Sequence, residues 1–402
     1  MKFFYPWGGS GTAPSNSAVN YNAVYGSANS TWNSFEAARD TVVSSSFTIN
    51  KLHVVLDTAP GGTGQYTFTL RKNGADTGLA VTIAGASLSA INGNQAVTFA
   101  AGDSLSLSCN PSNTPAVPTN CYGYIEGYAA DNSFPILAGT NSGITPTVTN
   151  FISAQAGRGA WQTSDALANQ IMPIGGVFKN LRIRLSGAPG TGKSVVITLY
   201  KNGVASALSV LASDAATTGV DLSDQVSVVA GDTISIAAIP TNTPAAVTVR
   251  WSMEFAPTNN GESFIAFSSI NLESQASTPL FEQLIGMGFS SWGSTESARQ
   301  MVAPATTFKN LYVLLGTAPG GATSRSVTLR DNSADTALTT TVSGASTTNN
   351  VTSSVTTSAG DLLSLKMIAN STPAIMTNGS RISLGVYYAP STNNGAGFLL
   401  SI

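Results

Sequence analysis

A block of residues recurs three times along this chain, and its internal spacing is rigid. It runs Leu52-His53-Val54-Val55-Leu56, Thr58-Ala59-Pro60-Gly61, Phe68-Thr69-Leu70 and Asn73-Gly74. It returns as Leu181 to Leu185, Gly187-Ala188-Pro189-Gly190, Ile197-Thr198-Leu199 and Asn202-Gly203, and again as Leu311 to Leu315, Thr317-Ala318-Pro319-Gly320 and Val327-Thr328-Leu329. Leu56 to Phe68, Leu185 to Ile197 and Leu315 to Val327 are each twelve residues apart. Each copy then carries a Gly-Asp turn (Gly102-Asp103, Gly231-Asp232, Gly360-Asp361) and a Thr-Pro-Ala loop (Thr114-Pro115-Ala116, Thr243-Pro244-Ala245, Thr372-Pro373-Ala374). Upstream, a Trp precedes an acid by four positions at Trp32/Glu36, Trp161/Asp165 and Trp292/Glu296. A period near 130 residues is too long for a solenoid unit and right for a whole domain. Three domains are therefore expected, over 1–130, 131–258 and 259–402.

Within a copy the hydrophobic period is two. Leu52, Val54 and Leu56 face one way, and Lys51, His53 and Val55 the other. Such runs, punctuated by Gly, Pro and Asn turns, predict an all-β chain of antiparallel sandwich or jelly-roll domains. The nine residues Met1 to Gly9 (MKFFYPWGG) read as an opening strand. The segments from Trp32 to Arg39 and Trp292 to Arg299 are each expected to form one helical turn, with Glu36–Arg39 and Glu296–Arg299 paired at i,i+3.

The order of these cues resembles the jelly roll of the complement-C1q and tumour-necrosis-factor superfamily. An aromatic first strand leads, a Lys-Asn-Gly turn follows at Lys72-Asn73-Gly74 and Lys201-Asn202-Gly203, and a Gly-Asp turn precedes the late strands. The resemblance implies three copies packed around a three-fold axis, which one chain would here supply as a pseudo-trimer. The copies also look like modules of bacteriophage surface, fibre and decoration proteins. The third departs from the turn motif, with Asp331-Asn332-Ser333, so its hairpin is expected to differ.

Charged residues make up 9% of the chain and the net charge is −2. Without clustered Lys and Arg a nucleic-acid partner is not expected. No run approaches the roughly 18 apolar residues of a membrane span, so no membrane insertion is expected. The N-terminal residues lack the apolar core of a signal peptide, which implies synthesis in the cytoplasm without the general secretory route. A virion protein made in a host cytoplasm fits that, and so does an extracellular protein with a dedicated exporter.

Gly187-Ala188-Pro189-Gly190-Thr191-Gly192-Lys193-Ser194 matches the phosphate-binding loop pattern in full. That loop works by leading into a helix, whose N-terminus cradles phosphate. The β-branched run Val195 to Leu199 predicts a strand instead. Lys193 aligns with Gly64 and Thr323, so the supposed chemistry does not recur with the loop, and the match reads as a decoy. His53, the only histidine, is expected as a solvated surface residue, with no evident partner for acid–base work. One His and two Cys do not make a zinc site, and single aspartates at Asp103, Asp232 and Asp361 cap turns and do not gather calcium. No cofactor and no catalytic residue is expected. Cys109 and Cys121 flank the Thr114-Pro115-Ala116 loop, which leaves a disulfide and two buried free thiols both open.

The junction Ala256-Pro257-Thr258-Asn259-Asn260-Gly261 is repeated by Ala389-Pro390 and Thr392-Asn393-Asn394-Gly395. Residues 396–402, with Phe398, Leu399, Leu400 and Ile402, then read as the first strand of a further copy. That strand must pair with the opening strand or with a neighbouring subunit. The sequence therefore points to a non-enzymatic virion structural protein (a capsid decoration, head-fibre or tail-associated module) on the virion surface, whose partners are other virion or surface-assembly proteins or itself. The alternative is a bacterial surface adhesin, filament subunit or carbohydrate-binding module with a cell-surface glycan as ligand.

Overall fold

The computed structural model describes residues 2–10, 13–24, 32–155, 160–268, 278–282, 284, 292–296, 300–302, 305–358, 361–376 and 379–387. The first third contributes β1 (Lys2–Ser10), β2 (Asn20–Asn22), β3 (Thr41–Val42), β4 (Phe47–Leu56), β5 (Gln65–Lys72), β6 (Ala75–Ala84), β7 (Ser89–Asn92), β8 (Val97–Phe99), β9 (Ser104–Ser112) and β10 (Asn120–Tyr128). They form two antiparallel sheets, β1-β10-β4-β7 with β8 also on β4, and β2-β9-β5-β6 with β3 also on β9.

The same pairing returns twice. The second third supplies β11 (Phe134–Gly139), β12 (Asn150–Ile152), β13 (Gln170–Ile171), β14 (Gly176–Leu185), β15 (Gly190–Lys201), β16 (Val204–Asp214), β17 (Thr218–Val228), β18 (Thr233–Thr241) and β19 (Val249–Pro257). Its sheets are β11-β19-β14-β17 and β12-β18-β15-β16, with β13 on β18. The last third supplies β20 (Glu262–Ser268), β21 (Leu280–Glu282), β22 (Met301–Val302), β23 (Thr306–Leu315), β24 (Ser324–Asp331), β25 (Ala334–Ser343), β26 (Thr348–Thr357), β27 (Leu362–Asn370) and β28 (Ser380–Tyr387). Its sheets are β20-β28-β23-β26 and β21-β27-β24-β25, with β22 on β27. The architecture is all-β and β-sandwich-like. Among the described residues no helix is long and apolar enough to cross a membrane.

Alternation drives the burial. Leu52, Val54 and Leu56 are buried while Lys51, His53 and Val55 are only half so, and Leu181, Ile183, Leu185 and Leu311, Val313, Leu315 repeat the pattern. Each such side chain removed from water contributes about 1.5–3 kcal/mol. Large rings move between strands from copy to copy. In the first third they come from β1, as Phe3, Tyr5 and Trp7, all buried. The facing strand makes room with glycine: a Cβ on Gly123 would lie 2.6 Å from the Trp7 ring and 2.1 Å from the His53 carbonyl oxygen. In the second third the rings sit on β19, as Trp251 and Phe255, at the registers that Gly123 and Gly127 hold on β10. Volume is kept while its source changes, which a close-packed core requires.

Two local expectations are corrected. Glu36 to Ala38 is a single 3-10 turn, as Asp165 to Leu167 is. Glu36 does not pair with Arg39, however: its carboxylate takes Arg71 from β5, and Arg39 donates to Ala38 O and to Asn141 Oδ1 (3.0 Å). A three-residue turn is too short to hold an i,i+3 pair against a better-placed strand. The third hairpin also does not differ. Asn332 and Ser333 take φ of 47° and 63°, matching Asn73 and Gly74 at 52° and 77°, so the mirror-image two-residue turn persists with serine in the glycine place.

Candidate functional site

The recurring loops find one another. In each third the Ala of the Thr-Pro-Ala loop donates its N–H to the Pro carbonyl of the Ala-Pro-Gly loop: Ala116 to Pro60 (2.8 Å), Ala245 to Pro189 (3.0 Å) and Ala374 to Pro319 (2.7 Å). The phosphate-loop match lies within this pairing. Gly192 N–H donates to Asp214 Oδ1 (2.7 Å) and Asn242 Nδ2 donates to Gly192 O (2.9 Å), as Asn113 Nδ2 donates to Thr63 O (3.0 Å) in the first copy. From Gly190 the chain runs on as strand β15, so the loop leads into no helix and Gly192 N–H is committed within the protein.

The Gly-Asp turns are tied in the same way. Asp103 Oδ2 accepts from Ala100 N–H (2.7 Å), and Asn73 Nδ2 donates to Asp103 Oδ1 (2.7 Å). Asp232 takes Val229 N–H and Asn202 (2.8 and 2.7 Å), and Asp361 takes Ser358 N–H and Asn332 (2.6 and 2.9 Å). Burial opposes ionisation of Asp103 and Asp232, yet these bonds and the Lys72 and Lys201 charges hold both carboxyls below the usual range. In the third copy Asp331 replaces the lysine. Burial and the Asp361 charge push the Asp331 carboxyl up, and its Oδ1 is buried without a hydrogen bond.

The recurring acid after each Trp is tied to the second sheet, and in the first two thirds it pins a 3-10 turn there. Arg71 Nε donates to Glu36 Oε1 (2.7 Å), Ser106 Oγ donates to the same oxygen (2.7 Å), and the guanidinium lies 5.3 Å from the Tyr21 ring centroid. Glu296, Arg330, Ser364 and Phe281 repeat the set. In the second third Asp165 takes Ser235 (2.5 Å), and Tyr200 meets Phe151 edge-on where the arginine would stand. Burial acts to raise the Glu36 carboxyl, but Arg71 and Ser106 outweigh it and hold it low. These acids serve the fold, and among the described residues no group of three His, Cys, Asp or Glu is placed to hold a metal.

The turn and the short strand after it also join one third of the chain to the next. β3 packs on β19, β14 and β11. Arg250, only 6% exposed, donates to Ala38 O and to Asn141 Oδ1 (2.8 Å), Arg184 pairs with Asp40, and Arg182 Nε reaches Ser44 O (3.5 Å). The next seam is built alike. β13 packs on β28, β20 and β23. Arg381 donates to Ala166 O, Asn310 Nδ2 to Pro173 O (3.2 Å), and Gln170 Nε2 to Ala266 O (3.0 Å). Ala266 N–H in turn donates to Gln155 Oε1 (2.8 Å). The recurring motifs do not contain these residues: Arg250 and Arg381 repeat only from seam to seam, and Gln155 and Gln170 act in the second seam, with Thr41 at the register of Gln170 in the first.

His53 is not the solvated side chain expected of it. It is half-buried, edge-on to Tyr124 at 4.9 Å between centroids, beside the Lys51–Glu126 pair (2.6 Å). Burial lowers its pKa, Glu126 opposes that and Lys51 adds to it. Cys109 and Cys121 are buried free thiols. They sit on opposed sheets, one on β9 opposite Phe68 and the other on β10 opposite Leu56. Burial pushes both thiols up, and the neighbouring Cys121 adds to the effect on Cys109. Phe398, Leu399, Leu400 and Ile402 lie outside the described residues, as does the rest of 396–402. A shallow groove between β6 and β7 is lined by Thr82, Ile91, Asn92, Asn94 and Gln95. No protein-family model and no curated protein matches the chain.

Proposed function

We propose that the chain is a non-enzymatic virion structural protein, a decoration, head-fibre or tail-associated module that acts through protein–protein contacts. In this reading its three tandem jelly-roll-like sandwiches, bounded near residues 130 and 258, form a single-chain pseudo-trimer. The observation that carries it is the seam used twice: a turn and short strand of one third seat on the outer sheet face of the next, with Arg250 and Arg381 at matching registers. Heterologous contacts of this kind join like modules into rings where the rotation closes and into filaments where it does not. The strand orders β1-β10-β4-β7 and β2-β9-β5-β6 support the jelly-roll label. Recurring polar groups that a sequence scan would offer for chemistry are committed to turns and seams. Immunogold labelling of particles purified from a lysate of producing cells tests the proposal, with gold on particle surfaces as the expected result. Label confined to a cell envelope would sink it. The amide-lined groove at Asn92, Asn94 and Gln95 favours the second reading, a carbohydrate-binding module, which binding on a glycan array would support.

A further inference from the structure

We infer that the outer face of the β1-β10-β4 sheet is the closing seam of a three-unit ring, and that its occupant is this chain's own β22. The inference rests on the three-unit reading above and names the surface that reading leaves open.

The chain makes the same heterologous contact twice, β3 onto β11-β19-β14 and β13 onto β20-β28-β23. One donor and one acceptor of that type then remain. The donor is β22, which pairs with β27 at the register where β3 pairs with β9 and β13 with β18. The acceptor is the outer face that carries Lys51, His53, Tyr124, Glu126 and Tyr128. A heterologous contact that does not close must propagate.

Burial marks this face as the odd one. Ser252 and Ser383, which face outward on β19 and β28, are 0% and 1% exposed because the preceding unit covers them. Tyr124 stands at their register on β10 and is half-buried, and Tyr128 is 39% exposed. The chemistry differs too: Tyr122 stands at the register that Arg250 and Arg381 hold, and His53 at that of Arg182. This is the seam without those arginines. Closure within the chain, not addition of a second copy, is favoured by one contact. Tyr124 packs against the apolar cluster of the last third, which contains Leu284, Trp292 and Leu311. The two ends of the ring already touch there.

The test uses the full chain and two variants, one on each side of the seam. Tyr124→Arg and Met301→Arg should each lower Tm by about 3–5 °C. The mass by light scattering should stay that of one chain at every concentration, and the double variant should lose less than the two single losses combined. Additive losses, or an unchanged Tm in both single variants, overturn closure. A wild-type mass above one chain that falls to one chain in Tyr124→Arg overturns it in favour of a second copy. Arg250→Ala monitors the three-unit reading separately: if it leaves Tm unchanged that reading fails, whereas loss there with additive seam variants fails closure alone.

Discussion

Arg250 donates a hydrogen bond to the carbonyl oxygen of Ala38, 212 residues earlier in the chain. The same guanidinium reaches Thr140 O and Asn141 Oδ1, so one buried cation ties two thirds of the molecule together. Hydrogen bonds to a charged group contribute about 1.5–3 kcal/mol, and truncation removes all of these at once, although Arg39 still donates to Ala38 O and Asn141 Oδ1. Arg250→Ala should therefore cost about 2–3 kcal/mol in urea unfolding, and Arg250→Lys should recover only part, since one ammonium cannot span three acceptors. An unchanged midpoint in Arg250→Ala would show that the seam carries no weight.

Asp331 faces Asp361 where the other copies place Lys72 and Lys201 against Asp103 and Asp232. Its folded pKa is raised, so its stabilising contribution is complete below the ordinary carboxylate range and is lost as pH rises through the folded value. At pH 7 the ionised pair is a liability. Asp331→Lys should raise Tm by about 1–2 °C at pH 7 and by less near pH 3, where Asp331 is protonated in the wild type. A gain as large at low pH as at pH 7 would point to a cause other than the repulsion.

His53 titrates in the opposite sense. Its pKa is lowered by burial against Tyr124, with Lys51 adding and Glu126 opposing. The neutral ring therefore stabilises above the ordinary value of roughly 6.5, and that contribution is lost as pH falls through the folded pKa. Between about pH 7.5 and 5.5 the wild-type Tm should fall by a degree or two more than that of His53→Gln. Parallel curves would mean that His53 behaves as a solvated side chain.

Strand positions, turn residues and the core face of β4, β14 and β23 were legible in the sequence, because period-two alternation and Gly-Asp or Asn-Gly turns act locally. The partners of the polar residues were not. Glu36 and Arg71 are 35 residues apart and on different elements, so the nearer Arg39 looked like the partner, although it turns to Asn141. The aromatic core was only half legible, since Trp7 over Gly123 and Trp251 on β19 fill the same space from different strands. Where volume is conserved and identity is not, repeats look weaker than they are. The seams were invisible for a further reason: Arg250 and Arg381 lack a counterpart in the first copy, where Tyr122 stands.

Cys109 and Cys121 sit on opposed sheets with raised pKa values, so the thiolate needed for reaction is disfavoured by burial. Native protein should release almost no colour with a thiol reagent at pH 8 over the minutes in which the unfolded chain releases two equivalents. Rapid reaction of the native state would contradict their burial. Two equivalents appearing only after reduction would mean that the pair is oxidised.

Gly192 and Lys193 separate the two readings of the phosphate-loop match. If the segment is a hairpin connection, its demanding residue is Gly192, whose φ of +69° is left-handed and costs a side-chain-bearing residue about 1–2 kcal/mol. Space is not the issue, because no atom lies within 4 Å of a Cβ built there. Lys193 then does little, since its equivalents are Gly64 and Thr323. Gly192→Ala should lower the urea midpoint by an amount corresponding to about 1–2 kcal/mol, while Lys193→Ala leaves it within about 0.5 kcal/mol of wild type. A nucleotide-binding loop predicts a different pair of results: Mg-ATP would raise Tm in the wild type, and Lys193→Ala would abolish the rise. That outcome would require Gly192 N–H to leave Asp214, and the hairpin would have to open before any phosphate could be held.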